Sequence, residues 1–380
     1  MIPYSRQAIS KKDINAVNKV LKSKFLTQGP EVKKFEYFIK KFTKAKYAIA
    51  VNSGTSALHL SCLGLGLNKN DYLWTAPNTF VSTANCALHC GAKVDFVDID
   101  KDDFNISIEK LKYKLKHTRP SKLPKILIPV HFAGLPTYQD EIFKLSKKYG
   151  FRVIEDASHS LGATYKKEKV GSCKWSDITV LSFHPVKIAT SGEGGMILTN
   201  NKKVYDKIKI LRTHGIYKAK SFKPWYYEQL DLGYNFRMSD IHAALGLSQS
   251  KSIKKFINKR NKIAKTYLNK LKNLPIKFQK INKYCKSTYH LFTISIELKK
   301  IKNTYNKIFS TLRNNNIFVN LHYLPVHLHP YYKKMGFKKN DFPISEDYSN
   351  RSMSIPVFYN LNIRSQNKVI ILLKKLTKLK

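Results

Sequence analysis

Lys187 stands apart from the other lysines of this chain. It closes the run Ser182-Phe183-His184-Pro185-Val186-Lys187 just beyond an apolar strand. Thr190-Ser191-Gly192-Glu193-Gly194-Gly195 follows, so its setting is small polar residues and glycines rather than a charged surface. That makes it a candidate for catalysis. Some thirty residues earlier, Val153-Ile154-Glu155-Asp156-Ala157-Ser158-His159 carries a carboxylate to the end of an apolar strand, the edge where open α/β sheets bind ligands. A helix-capping aspartate is the structural alternative. Asn52-Ser53-Gly54-Thr55-Ser56 joins a strand to a helix and gathers backbone N–H groups at a helix N-terminus, where an anion can sit; Ser and Thr there also serve as plain N-caps. The Walker pattern is absent, and Gly64-Leu65-Gly66 lacks the third glycine of a dinucleotide fingerprint. Neither an NTP nor a dinucleotide is implied.

These residues need a sheet to bring them together, and the chain supplies the rhythm of one. Tyr47 to Val51, Asp71 to Thr75, Lys93 to Val97, Lys125 to Pro129, Arg152 to Glu155, Ile178 to Phe183 and Gly195 to Thr199 read as short apolar strands with helical patterns between them. This alternation predicts a mostly parallel sheet covered on both faces, the α/β class. Before it come an irregular arm over residues 1–12 and a helix-like segment from Lys11 to Ser23. A large α/β domain is expected over 13–250. After the helix-rich Ser239 to Leu274, strands at Tyr289 to Ile296 and Ile317 to Tyr323, with helices near Ile301 to Asn314 and Ser365 to Leu379, predict a smaller α+β domain over 251–380. There is no internal repeat.

The 380 residues hold 69 Lys+Arg against 25 Asp+Glu, a formal charge of +44. Such an excess raises the possibility of nucleic-acid binding. Only nine of the basic residues are Arg, however, and the sixty Lys are scattered, whereas readers of bases and phosphates favour the planar fork of Arg. A solvated, lysine-rich surface is the better reading. No apolar run reaches the roughly 20 residues of a membrane span, and the start lacks an apolar signal segment, so a cytoplasmic protein without a membrane partner is expected. Five cysteines without a CxxC pair argue against a disulfide framework. Cys86, His89 and Cys90 lie close on one predicted helix, but no second ligand pair with zinc spacing follows, so no metal is expected.

Taken in order, SGTSAL (Ser53 to Leu58), EDASHSLGA (Glu155 to Ala163), SFHPVK (Ser182 to Lys187), GEGG (Gly192 to Gly195) and GYNFRMSDIHAALG (Gly233 to Gly246) resemble the pyridoxal-phosphate-dependent sugar-nucleotide aminotransferases of the DegT/StrS family. The resemblance covers essentially the whole chain. FLTQGP (Phe25 to Pro30), VHFAGLP (Val130 to Pro136), THGI (Thr213 to Ile216), PWYYE (Pro224 to Glu228) and HYLPVHLHPYY (His322 to Tyr332) are most similar to the branch serving pseudaminic acid biosynthesis.

The resemblance implies an aspartate-aminotransferase-like fold (fold type I), pyridoxal 5'-phosphate as cofactor and a homodimer with shared active sites. By the same resemblance Lys187 would hold the cofactor covalently and, once displaced, move the proton between Cα and C4′. Asp156 would pair with the pyridinium nitrogen, and His159, where many relatives carry Gln, would touch the ring hydroxyl side. Phe80 would stack on the ring, with core packing as its alternative. Gly54, Thr55 and Ser182 would hold the phosphate, and Asn235 would reach it from the neighbouring subunit.

Tyr4, Lys24, Phe25, Leu26, Thr27, Arg237, Asn320, Leu321, His322 and Tyr323 would lie near the sugar nucleotide or the donor carboxylate. For Arg237 a structural ion pair competes with that role. The implied reaction moves an amino group from L-glutamate to C4 of a UDP-4-keto-6-deoxy-N-acetylhexosamine, giving UDP-4-amino-4,6-dideoxy-N-acetyl-β-L-altrosamine. Other 4-keto or 3-keto nucleotide sugars are the alternative acceptors. One local departure is Ile188-Ala189-Thr190, where relatives commonly carry Asn-Ile-Thr after the lysine.

Overall fold

The computed structural model describes residues 1–218 and 223–379. Its centre is a seven-stranded sheet of β1 (Tyr47–Val51), β2 (Tyr72–Thr75), β3 (Lys93–Phe96), β4 (Pro124–Ile128), β5 (Arg152–Asp156), β6 (Ile178–Ser182) and β7 (Gly195–Thr199), in the order β1-β7-β6-β5-β4-β2-β3. β7 runs antiparallel to both of its neighbours, and the remaining pairs are parallel. The strands are short and apolar on both faces, as a sheet covered on both sides requires. Every residue of β7 and all but the last of β6 are buried.

Helix α1 (Gly54–Gly64) follows β1 and is capped by Ser53, whose Oγ accepts the Ser56 N–H at 3.1 Å. Seven consecutive residues of it, Ser56 to Cys62, are buried, so it is an interior helix rather than an amphipathic one. Helix α2 (Ser82–His89) follows β2, and its packing against α1 draws both into one core with Ile128, Ile154 and Val180.

The C-terminal part has its own core, built on a three-stranded antiparallel sheet of β8 (Ile276–Phe278), β9 (Phe292–Ile296) and β10 (Ser352–Ile355). Helix α3 (Asp240–Ser250) belongs to the first part. Helix α4 (Ile253–Leu271) joins the two: Ile253 and Phe256 pack with the core of Phe35 and Phe183, while Ile263, Tyr267 and Leu271 pack with Phe292 and Ile294.

Two expectations of local structure are corrected. Ile2–Pro3 is not irregular but pairs in parallel with Ile317–Phe318. The strand expected over Ile317 to Tyr323 ends at Phe318. From Asn320 onward the backbone leaves the ladder, touching it only through Ser354, and turns back toward the large sheet, where the Tyr323 N–H donates to Asn78 Oδ1 at 3.0 Å.

Candidate active site

The carboxyl ends of β1, β2, β4, β5 and β6, with the start of the antiparallel β7, all open on one edge of the sheet. A cavity of about 460 Å³ lies there, walled by Ser53, Gly54, Thr55, Phe80, Asp156, His159, Ser182 and Lys187. Its remaining wall comes from the other core, through Tyr4 and the run Asn320 to Tyr323. Tyr4 is brought in by the N-terminal segment, because its carbonyl accepts the Val357 N–H at 2.9 Å. Ser5 anchors that segment twice: its hydroxyl donates to Val186 O at 3.0 Å and accepts from the buried Arg260 at 3.3 Å. Arg260 in turn donates to Val357 O at 2.6 Å and His290 O at 3.0 Å, so one buried guanidinium ties the N-terminus, α4 and the lysine loop together.

Asp156 is held from both sides. Thr83 Oγ1 donates to its Oδ2 at 2.8 Å, and the Ser158 N–H donates to its Oδ1 at 3.1 Å. The Lys187 ammonium is drawn down to about 8 by desolvation, against which Asp156 acts to keep the charge. Its amine is therefore neutral in a substantial fraction of molecules near neutral pH.

Three imidazoles surround this lysine and all are held neutral. Desolvation, with Lys187 and His322 adding to it, sets His159 well below the usual histidine range. The same burial, reinforced by His159 and Lys187, does so for His290, and His322 falls to about 3. His159 and His290 pack with ring centroids 4.4 Å apart, and His159 Nε2 meets the Tyr323 hydroxyl at 3.2 Å. His159 Nδ1 is buried without a protein partner.

At the opposite wall the N-terminus of α1 faces Ser182, and a Cβ on Gly54 would lie 3.2 Å from the Ser182 Cβ. Phe80 is 56% exposed and so does not pack in the core; it lines the cavity with its ring 6.2 Å from that of Tyr323.

Six of the residues singled out in the sequence are not brought to this cavity by their own chain. Arg237 bridges to Val51 and lines a separate hollow of about 320 Å³ with Gln28 and Arg212. Among the described residues no ion pair holds it, which removes the competing structural role. Asn235 bridges to Thr213, and Thr27 to Ser239. Phe25 and Leu26 are about half exposed and Lys24 is exposed, with the Leu26 carbonyl accepting the Asp240 N–H at 2.9 Å.

Sequence reasoning missed Thr83, Ser5, Arg260 and His290. Thr83 left one signal, its i, i+4 spacing from Thr79, whose hydroxyl lies 2.9 Å away. The other three act through contacts remote in sequence.

The description "DegT/DnrJ/EryC1/StrS aminotransferase family" belongs to a sequence model that matches residues 7–374. A UDP-4-amino-4,6-dideoxy-N-acetyl-beta-L-altrosamine transaminase of Campylobacter jejuni is 39% identical over 365 residues, covering 96% of this chain and 94% of its own. The structure of Helicobacter pylori PseC, an aminotransferase involved in the biosynthesis of pseudoaminic acid, superposes with a TM-score of 0.90 at 32% identity over 99% of each chain. The sugar aminotransferase Spr1654 of Streptococcus pneumoniae in its PLP form gives 0.91 at 26% identity, over 99% of this chain and 98% of its own.

Proposed function

The chain belongs to the DegT/DnrJ/EryC1/StrS aminotransferase family, and within it we propose that it transfers the amino group of L-glutamate to C4 of a UDP-4-keto-6-deoxy-N-acetylhexosamine. It is a pyridoxal-phosphate-dependent aminotransferase acting on a nucleotide sugar. The product of the proposed reaction is UDP-4-amino-4,6-dideoxy-N-acetyl-β-L-altrosamine, a precursor of pseudaminic acid. We place the reaction in the cytoplasm and in a homodimer. The observation that carries the chemistry is a lysine amine drawn down to about 8 in one cavity with a doubly held aspartate. The acceptor reading is supported by the near full-length likeness to the Campylobacter jejuni and Helicobacter pylori proteins.

The cavity suits the cofactor. A helix N-terminus with a serine opposite accepts a phosphate, the face of Phe80 is free for a flat ring, and the unpartnered His159 Nδ1 is available to a polar substituent. Bound pyridoxal phosphate supplies an electron sink that lets a C–H bond beside an amine ionise. In our proposal Lys187 Nζ attaches the cofactor and, once free, takes the proton from the amino-bearing carbon of the donor and returns it in the second half of the reaction. Asp156 holds a proton on the ring nitrogen, and His159, kept neutral, orients without adding charge. Tyr4, Asn320, Leu321, His322 and Tyr323 form the side that meets the acceptor. Asn235, Arg237 and Lys24 to Thr27, remote from this cavity in their own chain, serve the site of the neighbouring subunit.

The test is incubation of the purified protein with glutamate and a panel of UDP- and dTDP-linked 4-keto and 3-keto sugars, with product configuration read by NMR. The expected product is the UDP-linked 4-amino sugar of L-altro configuration. Turnover of a dTDP or 3-keto acceptor in preference to it would overturn the acceptor while leaving the transaminase chemistry in place.

A further inference from the structure

The five cysteines take no part in the site described above, yet three of them converge beside it. Cys62, near the end of α1, has its Sγ 3.6 Å from that of Cys86 on α2. Cys90, the residue after α2, is within hydrogen-bond reach of Cys62. His59, three residues before Cys62 and so on the same face of α1, packs its ring 5.5 Å from that of His89. Cys62 and Cys86 are buried, whereas Cys90 is half-buried.

The three thiols are chemically unequal. The hydrogen bond from Cys62 draws the Cys90 thiol down to about 6, against the opposing effect of burial, with His59 and His89 adding to it. Cys62 itself is pushed well up by burial, and burial also pushes Cys173 and Cys285 up to about 12. One partly accessible thiolate therefore rests against a protonated thiol, while the thiols elsewhere in the chain stay inert. Among the described residues no group of three or more His, Cys, Asp or Glu side chains is arranged to hold a metal, which leaves the chemistry of sulfur itself.

We propose that Cys90 is a peroxide-reactive cysteine and that Cys62 captures its oxidised form as a disulfide joining α1 to the end of α2. In the first step the Cys90 thiolate attacks one oxygen of hydrogen peroxide: an S–O bond forms, the O–O bond breaks, and the departing hydroxide takes a proton to leave as water. The Cys62 sulfur then displaces the oxygen from the Cys90 sulfenic acid. An S–S bond forms, the S–O bond breaks, and the oxygen leaves as a second water carrying the Cys62 proton. The two sulfurs give up two electrons, which reduce one peroxide. The bond would link the two helices whose N-terminal turns wall the cavity.

The experiment exposes the cofactor-loaded protein to a small excess of hydrogen peroxide, blocks the remaining thiols with an alkylating reagent and maps the peptides by mass spectrometry. The expected result in the unaltered protein is a Cys62–Cys90 linked peptide with Cys173 and Cys285 still alkylated, formed at a rate that is half-maximal near pH 6. Cys90→Ser should slow thiol loss about tenfold or more, and Cys62→Ser should stop at a Cys90 sulfenic acid trapped by dimedone. The proposal is overturned if Cys90 remains alkylated while other thiols oxidise, or if Cys90→Ser loses thiols at the unaltered rate. Because the linked peptide is read first in the unaltered protein, a misfolded variant does not decide the outcome, and no aminotransferase assay enters it.

Discussion

Thr83 Oγ1 donates a 2.8 Å hydrogen bond to Asp156 Oδ2, linking the first turn of α2 to the end of β5. Thr79 stands 2.9 Å behind the same hydroxyl, and the other carboxylate oxygen receives the Ser158 N–H. The aspartate is thus oriented before any ligand enters, which is the arrangement a group meant to hold a distant proton requires.

Thr83→Val keeps the shape of this contact and removes its donor. A hydrogen bond to a charged group contributes about 1.5–3 kcal/mol, so the amino-donor half-reaction should slow at least about tenfold. The KM for glutamate should stay within about twofold, since the residue does not line the cavity. Single-turnover kinetics followed by cofactor absorbance measures both. An unchanged rate would show that Ser158 alone orients the carboxylate.

Gly195→Ala is expected to disturb the anion-binding turn from behind. A Cβ there would sit 2.3 Å from Ser53 O and 3.0 Å from Gly54 N, and backbone atoms cannot swing aside as a side chain can. Overpacking of this kind costs about 1–3 kcal/mol. Cofactor affinity, titrated by quenching of protein fluorescence, should fall about tenfold or more, with a lowered Tm. Retained affinity would mean that the Ser53–Gly54 turn does not carry the phosphate.

The residues legible in the sequence were those at strand ends. A strand followed by a polar or glycine-rich turn places its last side chain at the ligand edge whatever the rest of the chain does, and Gly54, Asp156, Ser182 and Lys187 all sit in such positions. Tyr4 and Asn320 to Tyr323 reach the same cavity by resemblance alone, because contacts made hundreds of residues away through Ser5 and Arg260 put them there. The strand expected through Tyr323 failed for the same reason. Its apolar residues favour a strand, but the Asn78 side chain and the turn toward the cavity claim its backbone. The thiols of Cys62, Cys86 and Cys90 read as small buried residues, since the inequality among them arises from packing between two helices.

Glu155, next in sequence to Asp156, projects to the other side of β5 and serves stability instead. It accepts from Gln139 Nε2 and, at 2.8 Å, from Thr179 Oγ1, with His131 Nε2 at 3.7 Å. Burial raises its pKa, but hydrogen bonds from His131, Thr179 and Gln139 outweigh this and hold it below the usual range. A carboxylate depressed in the folded state stabilises above its unfolded value, about 4.3, and that stability is lost as the pH falls through the folded value. Glu155→Gln should therefore cost about 3 kcal/mol at pH 7, with the difference shrinking below about pH 4. Urea unfolding at the two pH values measures it, and a constant difference would contradict the ion-pair reading.

In the cofactor-free protein the Lys187 amine should react with trace acetic anhydride along a titration centred near 8, against about 10.4 for an ordinary lysine. The sign follows from the environment. Desolvation penalises the ammonium and Asp156 partly restores it, so Asp156→Asn should move the midpoint lower still. A midpoint that rises in that variant would assign the shift to something other than desolvation. Peptide mapping of the acetylated lysines reads both.

The proposed sharing of sites between subunits makes a prediction that neither single variant can make. Lys187 and Asp156 line one cavity, while Asn235 lies outside it in the same chain. If Asn235 serves the partner's site, Lys187→Ala and Asn235→Ala subunits paired in one dimer place both defects in one site and leave the other whole. Random pairing of equal amounts makes half of the dimers mixed, each with one of two sites intact, so activity should return to about a quarter of the unaltered level on a two-fold symmetric assembly. Each variant alone should stay far below that. Co-expression with two affinity tags, followed by assay of the doubly captured dimer, measures it. Failure of the mixed dimer to recover activity would confine Asn235 to its own subunit and remove the argument for a shared site.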